Sequence, residues 1–328
     1  MFRQKKRALL TSLLLLMHAS FLLSQPLFNK LTVLTKPFHR GTIQGHAMVT
    51  RSLLAGLKEI DIPFNYNPSH PEEAGDVIVV LANVHALADA LRLKQQRPEI
   101  TLLAGPNLMV WPTDDNGILL SERIDKVIVP SEPTRHMYAE IAPNITNRLA
   151  IWYAGINPQQ WLPTAKSKQE RKVLVYWKNQ QEGPALKNAV VDLLTTYQWH
   201  PTILTYGTHT QQQYKEALDQ ASFAVFLSRS ESQGIALAEA WAMNVPTIVW
   251  NPKERTNRGR VYSAVSACPY VTQATGTDWK TVDDLEKILQ TIELDNFSPR
   301  HWVLEHMTDA HSAQLLIDLI NSTIEEKK

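Results

Sequence analysis

The sequence predicts an α/β fold with two parallel sheets, because short apolar runs alternate with helical stretches in both halves of the chain. The chain has 328 residues, which suits two domains of about 150 residues each. The run Val77–Leu81 is apolar throughout, as in a strand that a parallel sheet buries on both faces. Pro158, Pro163 and the polar run Lys166–Glu170 indicate a linker between the two halves.

Predicted strands and helices alternate in the first half. The strands are Leu31–Leu34, Val77–Leu81, Ile100–Ala104, Lys126–Val129 and Leu149–Trp152, and the helices are His46–Leu57, His85–Gln95 and Pro133–Glu140. Proline suits the start of the last helix, because the amide that it lacks has no partner in a first turn.

The second half repeats this order. Its predicted strands are Val173–Tyr176, Thr202–Leu204, Ala224–Leu227 and Thr247–Trp250, and its helices are Ala185–Leu194, Thr210–Asp219, Gly234–Met243, Thr281–Leu289 and His311–Glu325. Such alternation predicts parallel sheets with right-handed crossovers. We therefore expect two Rossmann-like domains that face a cleft, residues 28–152 and 153–297. Residues 298–328 should form a C-terminal helix that packs back toward the first domain.

Charge and cysteine content exclude several classes of function. Lys plus Arg number 33 and Asp plus Glu 32, so no global basic field favours nucleic acid as a partner. The single cysteine, Cys268, permits neither an intramolecular disulfide nor a cysteine metal cluster. Asp114 and Asp115 lie in a loop flanked by proline and glycine rather than at a strand end. The sequence therefore implies no metal and no cofactor.

The most informative segment runs from Ser228 to Val249. A predicted strand ends just before it, a short polar loop carries Glu231, Gly234 opens a helix, and Glu239 lies within that helix. A strand, a loop and a helix start then meet at the carboxyl edge of a parallel sheet, where open α/β folds bind ligands. The amides at such a helix start suit a phosphate or a sugar hydroxyl.

The two glutamates, the glycine between them and the tail from Glu239 to Pro246 resemble the donor-site signature of retaining GT-B glycosyltransferases of the family-four type. Val129–Glu132 resembles that family's strand-Pro-Ser segment, and Ala154–Asn157 resembles the turn that begins its interdomain crossing. The resemblance covers roughly residues 30–295. It implies transfer of a sugar from a nucleoside diphosphate sugar to a glycan, lipid or other hydroxyl acceptor, with retention of configuration.

The resemblance also implies roles for residues in the motif. Glu239 would bind the ribose hydroxyls of the donor, since charge-assisted hydrogen bonds are strong ones, and Glu231 would contact the transferred sugar. Gly234 would bring backbone amides to the sugar or phosphate. Ser232, Gln233, Ile235 and Gly207 are the further donor-site residues that we predict. For both glutamates the alternative is a solvated surface charge.

Cations should stabilise the nucleoside diphosphate as it leaves. The family places an Arg and a Lys after the first strand of its second domain. Lys178 falls at the Arg position here, so it is our second predicted catalytic residue beside Glu231. The other cation is displaced along the chain to Lys187.

The acceptor side departs from the family pattern. Many relatives carry a histidine after a first-domain strand, where this chain has Gly105, Pro106 and Asn107. Front-face retaining transfer does not require a protein base, because the departing phosphate can take the acceptor proton. His39, His46 and His85 are alternative bases, although a lone histidine is more often structural. Gly41, Gly45 and Asn107 are possible acceptor or phosphate contacts.

The loop after strand Thr247–Trp250 is the second departure. It carries Lys253, Arg255, Arg258 and Arg260, where the family has a small glycine-rich loop. These cations could grip a diphosphate or an anionic acceptor, with Arg258 as the predicted contact, or the loop could simply be solvated. The altered cations and the missing histidine favour one alternative function, a non-catalytic sugar-nucleotide or glycan-binding protein. An epimerase or a phosphorylase-like enzyme of the same fold is a second alternative.

Residues 1–27 read as a signal or membrane-anchor segment, because four cations precede the apolar run Ala8–Leu23. The run is short for a full span and contains polar residues. We therefore expect attachment to a membrane surface with the catalytic part on the cytoplasmic side. The alternatives are a lumenal or secreted enzyme and a soluble cytoplasmic chain that starts at Met17.

Overall fold

A computed structural model describes residues 25–37, 45–70, 73–164, 171–178, 183–263 and 265–328. It contains two parallel sheets, of six and five strands, so the predicted α/β class is confirmed. The basic and apolar segment lies outside the described residues up to position 24. Every predicted strand and helix is present, with bounds that differ from the prediction by at most two residues.

The first sheet has the order β2-β1-β3-β4-β5-β6. Its strands are Leu31–Thr35 (β1), Phe64–Tyr66 (β2), Val77–Leu81 (β3), Thr101–Ala104 (β4), Lys126–Val129 (β5) and Leu149–Ile151 (β6). The helices of this half are Gly45–Glu59 (α1), Val84–Gln96 (α2) and Glu132–Ile141 (α3), with short helical turns at Asp114–Gly117, Ile118–Leu120 and Pro143–Arg148.

The central strand β3 explains why its sequence is apolar throughout. Val77, Val79 and Leu81 lie in a core shared with α1, whereas Ile78 and Val80 lie in a second core on the opposite face of the sheet. Successive side chains of a strand point to opposite faces, so both faces of this sheet are covered.

The second sheet has the order β13-β10-β9-β7-β8. Its strands are Lys172–Trp177 (β7), His200–Thr205 (β8), Phe223–Leu227 (β9), Thr247–Trp250 (β10) and Gly276–Trp279 (β13), and an antiparallel hairpin of Arg255–Asn257 (β11) and Arg260–Tyr262 (β12) lies apart from it. The helices are Ala185–Thr196 (α4), Gln211–Gln220 (α5), Ile235–Ala242 (α6), Val282–Thr291 (α7), Pro299–His306 (α8) and Asp309–Glu326 (α9), and Leu294–Asn296 is a helical turn.

The chain crosses between the two sheets twice, and the two crossings contact each other. The amide of Ile156 donates to the carbonyl oxygen of Met307 at 2.8 Å, and the indole N–H of Trp152 donates to the carbonyl oxygen of Ser312 at 2.8 Å. Helix α9 then packs on α1 of the first half. The two helices approach so closely that a Cβ on Gly56 would lie 2.0 Å from the carbonyl oxygen of Asp309.

The sequence did not predict five elements, β2, β11, β12, β13 and α8. Four are strands of three or four residues, and the hairpin strands Arg255–Asn257 and Arg260–Tyr262 are mostly exposed. Such segments are too short and too polar for a periodicity of two to stand out.

Within the described ranges, none of the helices combines the length and the apolar character that a membrane span needs.

Candidate active site

The carboxyl ends of β7 and β9 lie side by side, because these strands are neighbours in the second sheet. The amide of Lys178, just after β7, donates to the carbonyl oxygen of Leu227 at 3.0 Å. The loop that follows β9 carries Glu231 and leads to Gly234 at the start of α6. This arrangement brings the two predicted catalytic residues, 53 positions apart, to one point.

Lys178 and Glu231 form a two-point ion pair. The ammonium group of Lys178 lies 2.8 Å from both carboxylate oxygens of Glu231. The hydroxyl of Ser228 donates to Oε1 of Glu231 at 2.7 Å, and the amide of Glu231 donates to the carbonyl oxygen of Ser266 at 2.8 Å. The side chains remain 32% and 17% exposed, so a ligand at the edge of the sheet can reach both.

Glu239 lies in the fifth position of α6 and is buried. Burial raises the pKa of its carboxyl group to about 8. Burial raises the pKa values of Tyr176 and Tyr214, and the negative charge of Glu239 raises them further. The Glu239 carboxyl group therefore lies near these two rings. No hydrogen bond to its carboxyl group is found in the part of the chain that the structure describes. Glu239 is 7% exposed, so a ligand at this edge could supply a hydrogen-bond partner.

Gly234 takes a conformation that other residues avoid. It caps α6 with φ of +82°, in the left-handed region that glycine adopts without a steric cost. A Cβ at this position would lie 2.9 Å from Cδ1 of Leu237. The positive φ therefore favours glycine at the entry into the helix, in addition to any approach of a ligand.

The next residues tie the loop to the interdomain crossing. The side-chain amide of Gln233 donates to the carbonyl oxygen of Ala154 at 2.7 Å and accepts from the amide of Ala154 at 3.0 Å. Ile235 packs against the cores of both halves, and Ser232 is exposed. The donor contacts predicted for Gln233, Ile235 and Ser232 stay predictions. Gln233 and Ile235 also join the two halves of the chain.

Two lysines lie over aromatic rings at the same sheet edge. The ammonium group of Lys178 is 4.9 Å from the centre of the Tyr206 ring, and that of Lys187 is 4.7 Å from Trp177. Gly207, which follows Tyr206, has φ of +82°, and a Cβ there would meet nothing within 4 Å. Lys187 thus lies beside the end of β7, the same strand end that leads into Lys178.

The first half contributes less to this site. Gly45 is the first residue of α1 and is exposed, and Asn107 follows the β4 end with φ of +66°. Burial and the charge of Lys36 lower the pKa of His46, which favours a neutral imidazole. Gly41 and His39 fall outside the described residues.

The basic loop is a hairpin whose arginines contact the first half. Arg258 forms an ion pair with Asp114 at 2.5 Å, and Arg260 forms one with Glu140. Arg255 instead donates to the Ser230 hydroxyl at 3.3 Å, beside the donor loop. Sequence reasoning weighed a phosphate grip against a solvated loop and missed this interdomain contact, since nothing local links Arg258 to a residue 144 positions away.

Comparison with known proteins gives the fold and no closer relationship. No family model and no curated protein matches the chain. Among solved structures, the apo form of the lipopolysaccharide outer core galactosyltransferase WaaB has a TM-score of 0.57 at 10% identity, over 92% of this chain and 100% of that chain. The catalytic domain of Starch Synthase IV from Arabidopsis thaliana, bound to ADP and acarbose, has 0.59 at 9% identity, over 91% and 99%.

An enzyme of another class shares the fold as well. The UDP-GlcNAc 2-epimerase from Methanocaldococcus jannaschii has a TM-score of 0.52 at 12% identity, over 90% of this chain and 100% of that chain. The chain therefore has a GT-B-like fold of two parallel sheets. Because a fold hosts several chemistries, the activity has to be argued from the site.

Proposed function

We propose that this chain is a retaining glycosyltransferase that takes its sugar from a nucleoside diphosphate sugar. The observation that carries the proposal is the ion pair of Lys178 and Glu231 at the carboxyl edge of the second sheet. Glu239 lies near the same edge, because its charge and that of Glu231 both raise the pKa of Tyr176 in β7. Two of the similar structures are a galactosyltransferase and a starch synthase bound to ADP, which supports the same class of reaction.

Glu239 is suited to the ribose of the donor. With a pKa of about 8, its carboxyl group is mostly protonated at neutral pH before a ligand binds. A protonated carboxyl donates one hydrogen bond and accepts another, and two adjacent hydroxyls can use both. This refines the expectation of a charged carboxylate, because within the described residues no cation pairs with Glu239.

Lys178 and Glu231 are suited to the bond that breaks. Lys178 can neutralise the charge that develops on the leaving diphosphate, which a fixed cation does best where water is excluded. Glu231 is held by Lys178 and Ser228, so its position is set before the sugar arrives. It would bond the hydroxyls of the sugar while the departing phosphate takes the acceptor proton.

The acceptor would bind between the two halves, with Gly45, Asn107 and the first half on its other side. We propose a hydroxyl acceptor of a glycan or lipid, and attachment of the enzyme to the cytoplasmic face of a membrane through residues 1–27. Fractionating cells that express the full chain and a form that starts at Pro26 tests the attachment. Equal solubility of the two forms would contradict it.

The donor is tested by melting the full chain with UDP-, GDP- and ADP-sugars. A ligand that binds only the folded protein raises Tm by mass action. The matching donor should then be hydrolysed slowly alone and consumed faster with an acceptor, giving a product with the donor's anomeric configuration. Binding without turnover would favour a non-catalytic sugar-nucleotide protein, and a changed sugar without transfer would favour an epimerase.

A further inference from the structure

The hairpin of β11 and β12 reaches from the second half of the chain to the first. Its two-residue turn is formed by Arg258 and Gly259, with φ of +49° and +76°, as in the tight turns that suit the twist of a hairpin. The turn directs the guanidinium of Arg258 at Asp114, where Nη1 donates to Oδ1 at 2.5 Å and Nη2 to Oδ2 at 3.2 Å. The same guanidinium lies 4.4 Å from the centre of the Trp111 ring.

Two more contacts join the hairpin to the first half. Arg260 forms an ion pair with Glu140 near the end of α3. The ring of Tyr262 meets that of Trp111 edge to face, with 6.1 Å between centroids. Together with the Arg258 contacts, these make a junction that is separate from the two chain crossings at Ile156 and Met307.

The contacts of this junction are weak enough to break. The side chains of Arg258 and Arg260 are 51% and 50% exposed, so water competes for both ion pairs. The two-point geometry at Asp114 and the ring of Trp111 strengthen the Arg258 contact to a moderate level. The indole N–H of Trp111 and the hydroxyl of Tyr262 are buried and find no hydrogen-bond partner among the residues that the structure describes. Closing the junction therefore leaves two polar groups unsatisfied, and opening it would let water reach both.

The hairpin is also connected to the donor loop. Arg255, at its base, donates to the hydroxyl of Ser230, the residue before Glu231. Movement of the hairpin would therefore shift the loop that positions Glu231 beside Lys178.

We propose that the hairpin Arg255–Tyr262 is a latch that reversibly joins the two domains beside the donor site, with Asp114, Trp111 and Glu140 as its catch. When the latch opens, nucleotide sugar can enter the cleft, and when it closes, the domains are held together over the donor. The gating role rests on the proposed function, whereas the reversible contact does not.

The contact is tested on the full chain with nitroxide labels at Thr256→Cys on the hairpin and Arg123→Cys on the first half, both of them exposed positions. Cys268 is 3% exposed, and burial raises the pKa of its thiol to about 12, so it should not take up the label. Pulsed electron spin resonance then measures the distance distribution between hairpin and first half without any ligand.

Arg258→Asn removes the cation and keeps a residue that tolerates a left-handed backbone. Its matched control is Lys253→Asn, since Lys253 also has positive φ (+62°) but pairs with Asp278 of its own half. We expect Arg258→Asn and Asp114→Asn each to raise the ratio of long to short distances by roughly threefold to thirtyfold. The control should leave the ratio unchanged, and the exchange of Asp114→Arg with Arg258→Asp should partly restore it.

Identical distributions in the original chain, Arg258→Asn and Asp114→Asn would overturn the latch, as would an equal effect of Lys253→Asn. Gating is measured separately, as the association rate of the nucleotide found in the melting screen. That rate should rise in Asp114→Asn, and an unchanged rate would refute the gate. If no nucleotide binds, the proposed function fails while the distance measurement still decides whether the latch exists.

Discussion

The ammonium group of Lys178 lies 2.8 Å from each carboxylate oxygen of Glu231, although the two residues belong to different strand ends. Each charge thereby fixes the other in the absence of a ligand. A diphosphate that binds here would compete with Glu231 for the lysine, and a sugar would compete with the lysine for Glu231. Under the proposed function, the pair would bind the two sides of the bond that a glycosyl transfer breaks.

Replacing Lys178 should slow the reaction by removing the cation that faces the leaving group. In Lys178→Ala we expect kcat to fall by about 10²–10³, the scale measured when one group that stabilises developing charge is lost. Lys280→Ala is the control, because Lys280 is exposed and lies beyond β13. A kcat within twofold of the original would show that Lys178 takes no part in the chemistry.

Glu231 should affect turnover more than nucleotide affinity. Interactions with the sugar that strengthen as the bond breaks raise the rate rather than ground-state binding. Glu231→Gln should therefore bind free nucleoside diphosphate about as well as the original chain while kcat drops. Calorimetry with the diphosphate gives the first quantity and steady-state kinetics the second. A large loss of diphosphate affinity would mean that the roles of the two glutamates are wrongly divided.

Glu239 should affect nucleotide affinity directly. Glu239→Ala removes both hydrogen bonds that we assign to the ribose, and we expect it to weaken binding by about 1.5–3 kcal/mol. Titration calorimetry against the preferred nucleotide measures this, with Glu254→Ala as an exposed control on the loop after β10. If a folded Glu239→Ala protein binds nucleotide unchanged, Glu239 is not part of the donor site.

Asp309 should make stability depend on pH. Burial is the largest cause that raises the pKa of its carboxyl group from 3.8 to about 6. A smaller effect of Ser52 lowers this pKa, and the charge of Glu59 raises it further. Because the folded state holds the proton more tightly than the unfolded state, this carboxyl costs nothing below pH 3.8. The destabilisation grows as pH rises from 3.8 to about 6 and stays constant above that.

Asp309→Asn should therefore raise the free energy of unfolding at pH 7 by about 1–3 kcal/mol and change it little at pH 4. Urea unfolding at the two pH values measures the difference. The exposed Asp295→Asn serves as control. A gain that is equal at both pH values would show that ionisation of Asp309 is not its cause.

The sequence alone determined the elements whose signals are local. The apolar strand Val77–Leu81 was predictable because both of its faces are buried. The strand that ends at Leu227, the loop after it and the helix that carries Glu239 were predictable, because turn residues and apolar periodicity are properties of neighbouring residues. The two glutamates and the glycine between them also predict a donor site, and that assignment stays a prediction.

Only the tertiary structure decided which distant residues meet. Lys178 reaches Glu231 because β7 and β9 are adjacent in the sheet, and strand order is not encoded in any single strand. Gln233 bonds the main chain of Ala154, and Arg258 pairs with Asp114, through contacts between halves that fold around separate cores. The short hairpin that carries Arg258 is mostly exposed, so its sequence shows no apolar periodicity. Its contacts with the first half are ion pairs and ring contacts between residues far apart in the chain, and sequence periodicity does not report such contacts.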